Sequence, residues 1–202
     1  AEHKERLKHL SVPIVILAQR LDGYSCVYSD DYHASLDLTS RLAKTGHVFG
    51  YINAESRDEA VGHSRKKGFE DGLNQAGQEH APRYYAEAVF SMESGYQMAK
   101  KLFTDHPDID TLLCATDTIA SGALRYLHEQ EIPVPEQVQI AGFGDSSIAR
   151  ATTPTLTTAH FFYEEAGSEA GKILLDMMQE KEHPLNRELK LGFSTIVRDS
   201  TR

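Results

Sequence analysis

The chain has 202 residues, 40% of them hydrophobic and 25% charged, a length that allows one large domain or two small ones. Its net charge of −9, from 30 acidic and 21 basic side chains, argues against a domain that binds DNA phosphates, so any nucleic-acid contact belongs to another part of the polypeptide. No apolar run approaches the roughly 18–20 residues of a membrane span, and the charged N-terminal segment does not resemble a secretory signal. The two cysteines lie in apolar segments, which indicates reduced thiols.

Short apolar runs alternate along the chain with longer amphipathic segments. The apolar runs predict strands at Pro13–Leu17, Ser25–Tyr28, Val48–Ile52, Arg83–Phe90, Thr111–Ala115, Gln137–Phe143, Leu156–Ala159 and Leu189–Val197. The amphipathic segments predict helices at Asp31–Thr45, Val61–Gln75, Ser91–Thr104, Asp117–Gln130 and Tyr163–Gln179. This alternation predicts βαβ units and a parallel sheet covered by helices on both faces.

The polar residues that follow the strands are the candidates for function, because ligands of parallel α/β sheets bind outside the carboxyl ends of the strands. A sugar presents hydroxyls that donate and accept hydrogen bonds, so its site needs carboxylates, amides, guanidinium groups and an aromatic face. The residues that supply this set are Gln19, Asp30, Asp31, Arg65, Phe90, Thr116, Asp117, Asp145 and Tyr163. They suit the binding of a ligand better than its chemical conversion.

Structural roles compete with these binding roles. Asp30 or Asp31, and Thr116 or Asp117, stand where a side chain caps the helix that follows. Arg65 is equally consistent with an exposed arginine on a solvated helix face. The segment Gly142–Ser147 begins like a dinucleotide fingerprint, but its sixth position is Ser and no clear helix opens there, which favours a tight turn at a strand end.

The motifs of common enzymes and metal sites are missing from the sequence. The 10 histidines show no HExxH or other paired spacing, and no CxxC is present, which disfavours a metal site. There is no GxSxG for a nucleophile and no GxxxxGK[ST] for a phosphate loop, so the sequence predicts neither an enzyme nor a cofactor.

Three long segments carry a resemblance to a known family. They are SDDYHASLDLTSRLAKTGH, AVGHSRKKGFEDGL from Ala60 to Leu73, and the run from Leu112 to Gly167 that includes LLCATDTIASGALRYL and IAGFGDSSIARATTPTLTT. In this order they closely resemble the effector-binding domain of the lactose-repressor/galactose-repressor (LacI/GalR) family of bacterial transcription regulators. The resemblance implies the periplasmic-binding-protein fold, in which two α/β subdomains are linked by three crossover strands.

The resemblance also implies that the chain is a fragment of a regulator. Its start matches the segment before the fourth strand of the N-terminal subdomain, and the helix-turn-helix is absent. The implied crossovers lie near Tyr28–Ser29, at His160–Phe162 and between about Pro184 and Leu191. Residues 1–28 and 163–187 would then be a remnant of the N-terminal subdomain, and residues 29–162 and 188–202 the C-terminal subdomain.

By resemblance, Arg65 matches the arginine that clamps the effector. Phe90 and Tyr163 match aromatic residues of the cleft, and Thr116 stands where many members have an Asn that contacts the ligand. Two departures, Gly144 in place of an acidic residue and Ala18-Gln19 in place of an Asp, disfavour an ordinary free hexose or galactoside. The combination of Gln19, the segment CATDT and Gly144 looks most like the trehalose-operon repressors, with the sucrose-operon repressors second. This resemblance favours a disaccharide or disaccharide phosphate as the effector.

The main hypothesis is therefore a cytoplasmic, homodimeric repressor of sugar-utilisation genes, of which this chain is the effector-binding and dimerisation part. Operator DNA would be bound by a helix-turn-helix outside the chain, and no membrane partner is expected. The alternative is a periplasmic-type sugar-binding protein of a transport system with the same fold. A helix-turn-helix or a signal peptide encoded upstream would distinguish the two.

Overall fold

The computed structural model describes residues 7, 9–55, 58–179 and 185–202, which divide into two compact units. The smaller unit consists of Ala1–Ser29 and Phe162–Leu191, and the larger consists of Asp30–Phe161 and Gly192–Arg202. The chain therefore passes between the units at three places. The third passage is at Leu191–Gly192. It lies at the end of the predicted crossover between about Pro184 and Leu191, of which Pro184 falls outside the described residues.

The larger unit is built on a six-stranded sheet. Numbered along the whole chain, its strands are β3 (Phe49–Asn53), β4 (Arg83–Glu87), β5 (Thr111–Cys114), β6 (Gln139–Gly144), β7 (Thr157–Phe161) and β9 (Phe193–Ile196). Their order in the sheet is β4-β3-β5-β6-β7-β9, and neighbouring strands are parallel except that β9 runs antiparallel to β7.

Helices cover both faces of this sheet, as the alternating pattern predicts. They are α1 (Asp31–Leu42), α2 (Arg65–Gln75), α3 (Met92–Asp105), α4 (Asp117–Glu129) and the short α5 (Ser147–Ala151). On one face, Leu38 and Phe69 of α1 and α2 pack with Tyr51 of β3. On the other, Leu102 and Ile119 of α3 and α4 pack with Ile52. The central strands are buried on both sides, which is why they appear in the sequence as continuous apolar runs.

The smaller unit has a three-stranded parallel sheet formed by β1 (Val15–Leu17), β2 (Ser25–Ser29) and β8 (Glu188–Leu191). The order of the strands is β1-β2-β8, and the helix α6 (Tyr163–Gln179) belongs to the same unit. Val27, Ala170 and Ile173 form its buried cluster. Together the mainly parallel sheet of the larger unit and the parallel sheet of the smaller unit confirm the predicted α/β class.

Several predicted elements differ from the observed ones. The predicted strand Leu189–Val197 is divided at Gly192, so that β8 joins one sheet and β9 the other. The predicted strand Arg83–Phe90 ends at Glu87, and the residues after it lead to Ser91, whose side chain accepts from the Ser94 N–H and caps α3. Periodicity reports which face a residue occupies, but it does not report which sheet a segment joins.

Two local structures at the site were also predicted incorrectly. The first four residues of the predicted helix Val61–Gln75 belong to a π-helix at Glu59–Ser64, and the α-helix α2 begins only at Arg65. The segment after Gly144 does open a helix, α5, which is too short for a sequence period to reveal. Before it the chain turns sharply, since Gly144 and Asp145 have φ of +127° and +48°.

Candidate functional site

The carboxyl ends of the parallel strands of the larger unit lie at one edge of its sheet. Asn53, Ala115 and Gly144 stand at or just after the ends of β3, β5 and β6, and Phe161 ends β7. The π-helix and the start of α2 bring Arg65 to this edge, where its guanidinium contacts the residue after β5. This edge is the candidate ligand site.

Arg65 is the centre of a buried group that we call the Arg65 cluster: Arg65, Asp31, Phe143, Phe161 and the carbonyl of Ala115. Nε and Nη2 of Arg65 lie 2.8 and 2.7 Å from Oδ1 of Asp31, and Nη1 donates to the Ala115 oxygen at 2.6 Å. The guanidinium carbon lies 4.9 and 5.0 Å from the ring centroids of Phe143 and Phe161. Arg65 is 6% exposed, so the alternative of an exposed helical arginine is wrong.

The sequence around Arg65 positions its side chain by local hydrogen bonds. Asp58 accepts from the Val61 N–H at 2.8 Å and caps the π-helix, and the Arg65 N–H bonds to the Ala60 carbonyl. The hydroxyl of Ser35 donates to the Arg65 carbonyl at 2.6 Å, which ties the start of α2 to α1. π-helical turns are rare and occur frequently at functional sites, and this one lies directly before the candidate ligand-binding arginine.

Asp31 is the charged partner of Arg65 within the cluster. Burial raises the pKa of the Asp31 carboxyl above its ordinary value, and the attraction of Arg65 offsets only part of that rise. A guanidinium has five N–H groups, and within the described part of the chain the contacts with Asp31 and Ala115 use three of them. Phe143 and Phe161 are themselves buried and pack against the guanidinium, so they restrict its position. A charged donor held at the carboxyl edge of the sheet suits a ligand that bears hydroxyls.

Asp117 is buried and its carboxylate accepts hydrogen bonds from two segments near the carboxyl edge of the sheet. Its Oδ1 accepts from the Thr158 hydroxyl at 2.6 Å, and its Oδ2 accepts from the Ser146 N–H at 2.8 Å and hydroxyl at 3.1 Å. Burial raises the pKa of this carboxyl despite these hydrogen bonds. The side chain thus joins the start of α4 to the turn after β6 and to Thr158 near the start of β7. Thr116 caps α4 by accepting from the Ile119 N–H at 3.2 Å.

Asp145 lies at the turn after β6 and is surrounded by cationic and imidazole groups. Arg198 lies 2.5 Å from Oδ1, and Arg150 and the Nδ1 of His160 both lie 3.1 Å from Oδ2. Burial acts to raise the pKa of Asp145, but hydrogen bonds from Arg198 and Arg150 outweigh it and lower the pKa below its ordinary value. The carboxylate therefore serves first to hold the turn to the C-terminal segment.

The remaining predicted residues are described by their own surroundings. Asp30 caps α1 and pairs with the Nδ1 of His33 at 2.9 Å. Phe90 is 54% exposed beyond the end of β4. Gln19 and Tyr163 belong to the smaller unit, where both are exposed, and Gln19 follows Ala18, whose φ is +68°.

Sequence reasoning missed several members of the site. Phe143 and Phe161 were assigned to strands or crossovers, and nothing in their spacing shows that both rings contact Arg65. Arg198 is separated from Asp145 by 53 residues, so no local pattern links the two. Asn53 directly follows the predicted strand Val48–Ile52, and a polar residue after a buried strand is a candidate for the carboxyl edge.

Within the described residues, no three or more His, Cys, Asp or Glu side chains group as a metal site would require. In that same part of the chain, no helix combines the length and apolar character needed to cross a membrane. Cys26 and Cys114 are both buried free thiols.

Two α/β units, three passages of chain between them, and donors gathered at the carboxyl edge of a parallel sheet are the features of a small-molecule-binding domain. The family model described as periplasmic binding protein-like domain matches residues 39–201, and the chain belongs to this family. The predicted resemblance to the LacI/GalR family is confirmed, because the relatives found are regulators of that family.

One relative is the HTH-type transcriptional regulator TreR of Escherichia coli, 31% identical over 182 residues, which are 90% of this chain and 55% of the relative. A solved LacI family transcriptional regulator from Enterococcus faecium with bound ribose has a TM-score of 0.86 and 26% identity, covering 98% of this chain and 74% of that one. The transcriptional regulator CelR–cellobiose complex has a TM-score of 0.85 and 27% identity, covering 94% and 59%. The chain spans about half the length of the curated relatives it matches.

Proposed function

We propose that this chain is the effector-binding and dimerisation part of a bacterial transcriptional repressor of sugar-utilisation genes, with a sugar or sugar phosphate as effector. The observation that carries the proposal is the Arg65 cluster, where a buried guanidinium is held at the carboxyl edge of the sheet by contacts that use three of its five N–H groups within the described residues. Relatives that are transcription regulators, one solved with ribose and one with cellobiose, support the same conclusion.

The proposed effector is a disaccharide or disaccharide phosphate, held first by Arg65. Gln19, Phe90 and Tyr163, whose side chains are exposed, are proposed as further contacts. Asp30, Thr116, Asp117 and Asp145 also stay predicted as ligand contacts, although each has a structural partner within the chain.

The proposed mechanism is a shift in the arrangement of two subdomains. The smaller unit would be the remnant of the N-terminal subdomain and the larger unit the C-terminal subdomain. An effector that binds one arrangement more tightly shifts the population toward it, and in a homodimer this changes the spacing of helix-turn-helix segments on a palindromic operator. The protein would act in the cytoplasm, without a membrane partner and without catalysis.

A transport-type sugar-binding protein is the second candidate function. Its fold would be the same, but the relatives found are transcription regulators, which favours the first candidate. The coding sequence upstream distinguishes them: a helix-turn-helix supports the repressor, and a signal peptide would overturn it.

The decisive experiment measures operator release from the regulator that contains this chain, by fluorescence anisotropy, against a panel of sugars and sugar phosphates. Arg65→Lys keeps the charge but loses the planar fork of donors. We expect it to bind operator normally and to need about tenfold more effector or more, since a hydrogen bond to a charged group contributes about 1.5–3 kcal/mol. Lys67→Ala, on the exposed face of the same helix, is the control. Release by Arg65→Lys at the wild-type effector concentration would overturn the assignment.

A further inference from the structure

The strand β4 lies at the edge of the six-stranded sheet, and β3 is its only hydrogen-bonded neighbour within the described residues. The Phe49 N–H donates to the Pro82 carbonyl at 2.9 Å, and the Ala88 N–H donates to the Asn53 carbonyl at 2.9 Å. These two bonds determine which residues of β4 face β3, because successive residues of a strand present their N–H and C=O groups to opposite sides.

The backbone groups that β4 directs away from β3 therefore belong to Arg83, Tyr85 and Glu87, whereas those of Tyr84 and Ala86 face β3. An edge that presents a row of N–H and C=O groups is a template for pairing with another strand. Tyr85, at the centre of β4, is 41% exposed, so the middle of this edge is accessible.

The side chains of β4 match those of a second copy of β4. Arg83 begins the strand and Glu87 ends it, at equal distances from Tyr85. In an antiparallel pair with a two-fold axis at Tyr85, Arg83 of each copy lies directly opposite Glu87 of the other, and the two Tyr85 residues face each other. Opposite charges and aromatic side chains in directly opposed positions both stabilise a strand pair.

Other registers of the same pair lose this match. The outward backbone groups allow shifts in steps of two residues, and a shift by one step leaves a charged residue opposite Tyr85. A shift by two steps places Arg83 opposite Arg83 or Glu87 opposite Glu87, and like charges directly opposite each other are destabilising. The strand sequence RYYAE is thus complementary to itself in one antiparallel register.

The contacts of these side chains within the chain are compatible with such pairing. Arg83 donates to the carbonyls of Gln78 and Ala81 at 3.3 and 3.4 Å, and these neutral acceptors leave its charge uncompensated. The Glu87 carboxylate has two oxygens with about four acceptor positions, so it can accept from a second copy in addition to contacts within its own chain. The Tyr85 hydroxyl lies 3.3 Å from Oε1 of Glu70, a contact that does not use the Tyr85 backbone.

We propose that the edge of β4 is a homodimer surface, through which two copies of this chain pair antiparallel about Tyr85 and join their six-stranded sheets edge to edge. The occupant is a second copy because the charges along this edge complement the edge itself. The pairing specifies the dimerisation part of the proposed function, and it is independent of the effector.

Sedimentation of the 202-residue chain over a concentration series tests the charge pairs. We expect a monomer–dimer equilibrium whose dissociation constant rises about tenfold in Arg83→Glu and in Glu87→Arg, since both attractive pairs become repulsive. An equimolar mixture of these two variants should recover the wild-type affinity, because an acidic edge then meets a basic one. Glu136→Arg, an exposed charge reversal before β6, is the control and should leave the equilibrium unchanged.

Cysteine cross-linking tests the register. Hydrogen-bonded partners in an antiparallel pair have Cα atoms about 5.5 Å apart, which is within the range of a disulfide. Tyr85→Cys should therefore form an intermolecular disulfide on mild oxidation, whereas Glu87→Cys, placed opposite Arg83, should not. The native Cys26 and Cys114 are buried thiols, so wild type provides the background.

A wild-type chain that stays monomeric at millimolar concentration would overturn the proposal. Dimers that withstand both charge reversals would overturn it as well and would place the contact elsewhere, such as on the apolar surface of the smaller unit. Cross-linking of Glu87→Cys in place of Tyr85→Cys would overturn the register. Sedimentation needs neither effector nor operator, so this proposal and the one tested by Arg65→Lys can fail independently.

Discussion

Arg65 shows at the scale of one residue how a ligand-binding group is prepared before a ligand arrives. Asp31 and the Ala115 carbonyl hold three of its donors in place, and Phe143 and Phe161 restrict the plane of the guanidinium. Ordering a long side chain in advance reduces the entropy lost on binding. This preorganisation is a reason why a lysine, which lacks the fork of donors, should not replace it.

Asp145 gives a prediction of pH dependence. Its folded-state pKa lies below its unfolded value, so the ionised carboxylate stabilises the fold fully above the unfolded pKa, and this stability is lost as the pH falls through the folded pKa. We expect Asp145→Asn to lower the free energy of unfolding by about 1–3 kcal/mol at neutral pH. The difference in the free energy of unfolding between Asp145→Asn and wild type should decrease as the pH falls below about 3.9.

Urea unfolding of both proteins at several pH values measures this difference, and subtracting one curve from the other removes the titration of other carboxylates. Asn tolerates the positive φ of this position, so the substitution isolates the charge. A difference that does not change with pH would contradict the role of the carboxylate.

Thr116 separates a capping role from a ligand-binding role. Because its hydroxyl accepts from the Ile119 N–H, Thr116→Ala should cost about 0.5–2 kcal/mol of stability, and Thr116→Ser should cost much less. Chemical denaturation of the three proteins measures the effect. Wild-type stability in Thr116→Ala together with a lost effector response would instead show that the hydroxyl serves the ligand.

At the scale of elements, the packing of α2 on α1 determines where Arg65 lies. A Cβ on Gly68 would collide with the Tyr32 carbonyl oxygen and would lie 2.8 Å from the Ser35 Cβ. Glycine is therefore required for the close approach of the two helices. The same contact region includes the hydrogen bond from Ser35 to the Arg65 carbonyl.

Gly68→Ala should therefore destabilise the protein by about 1–3 kcal/mol, through overpacking, and weaken effector binding as α2 shifts. Gly171→Ala is the matched control, since Gly171 lies within α6 and a Cβ there would meet nothing within 4 Å. That variant should be as stable as wild type or more stable by about 0.5–1 kcal/mol. Thermal unfolding compares them, and equal effects of the two substitutions would contradict the packing argument.

At the scale of the whole molecule, the two units differ in how much core each one has. Among the described residues, three buried side chains form the cluster of the smaller unit, whereas two extensive clusters cover the faces of the larger sheet. Leu17, Leu175 and Met178 of the smaller unit also expose large apolar surfaces. Local opening is easiest where few apolar contacts must be broken.

Hydrogen exchange should therefore be faster at Val27 and Ile173 than at Leu112 and Ile140 of the larger unit. Protection in the smaller unit that increases with protein concentration would show that a second chain covers its apolar surface. Uniform protection at all concentrations would contradict the expected difference between the units.

The sequence by itself determined the α/β class, the order of the helices and strands, the carboxyl edge as the place for a site, and Arg65 as its leading candidate. These follow from periodicity, from turn residues and from resemblance, all of which can be observed along the chain. Only the tertiary structure decided that Asp31, Phe143 and Phe161 meet at Arg65, that Asp117 braces three elements, and that Gly192 divides one apolar run between two sheets. The physical reason is that strand order brings together residues far apart in the chain, and periodicity describes only the face that each residue occupies.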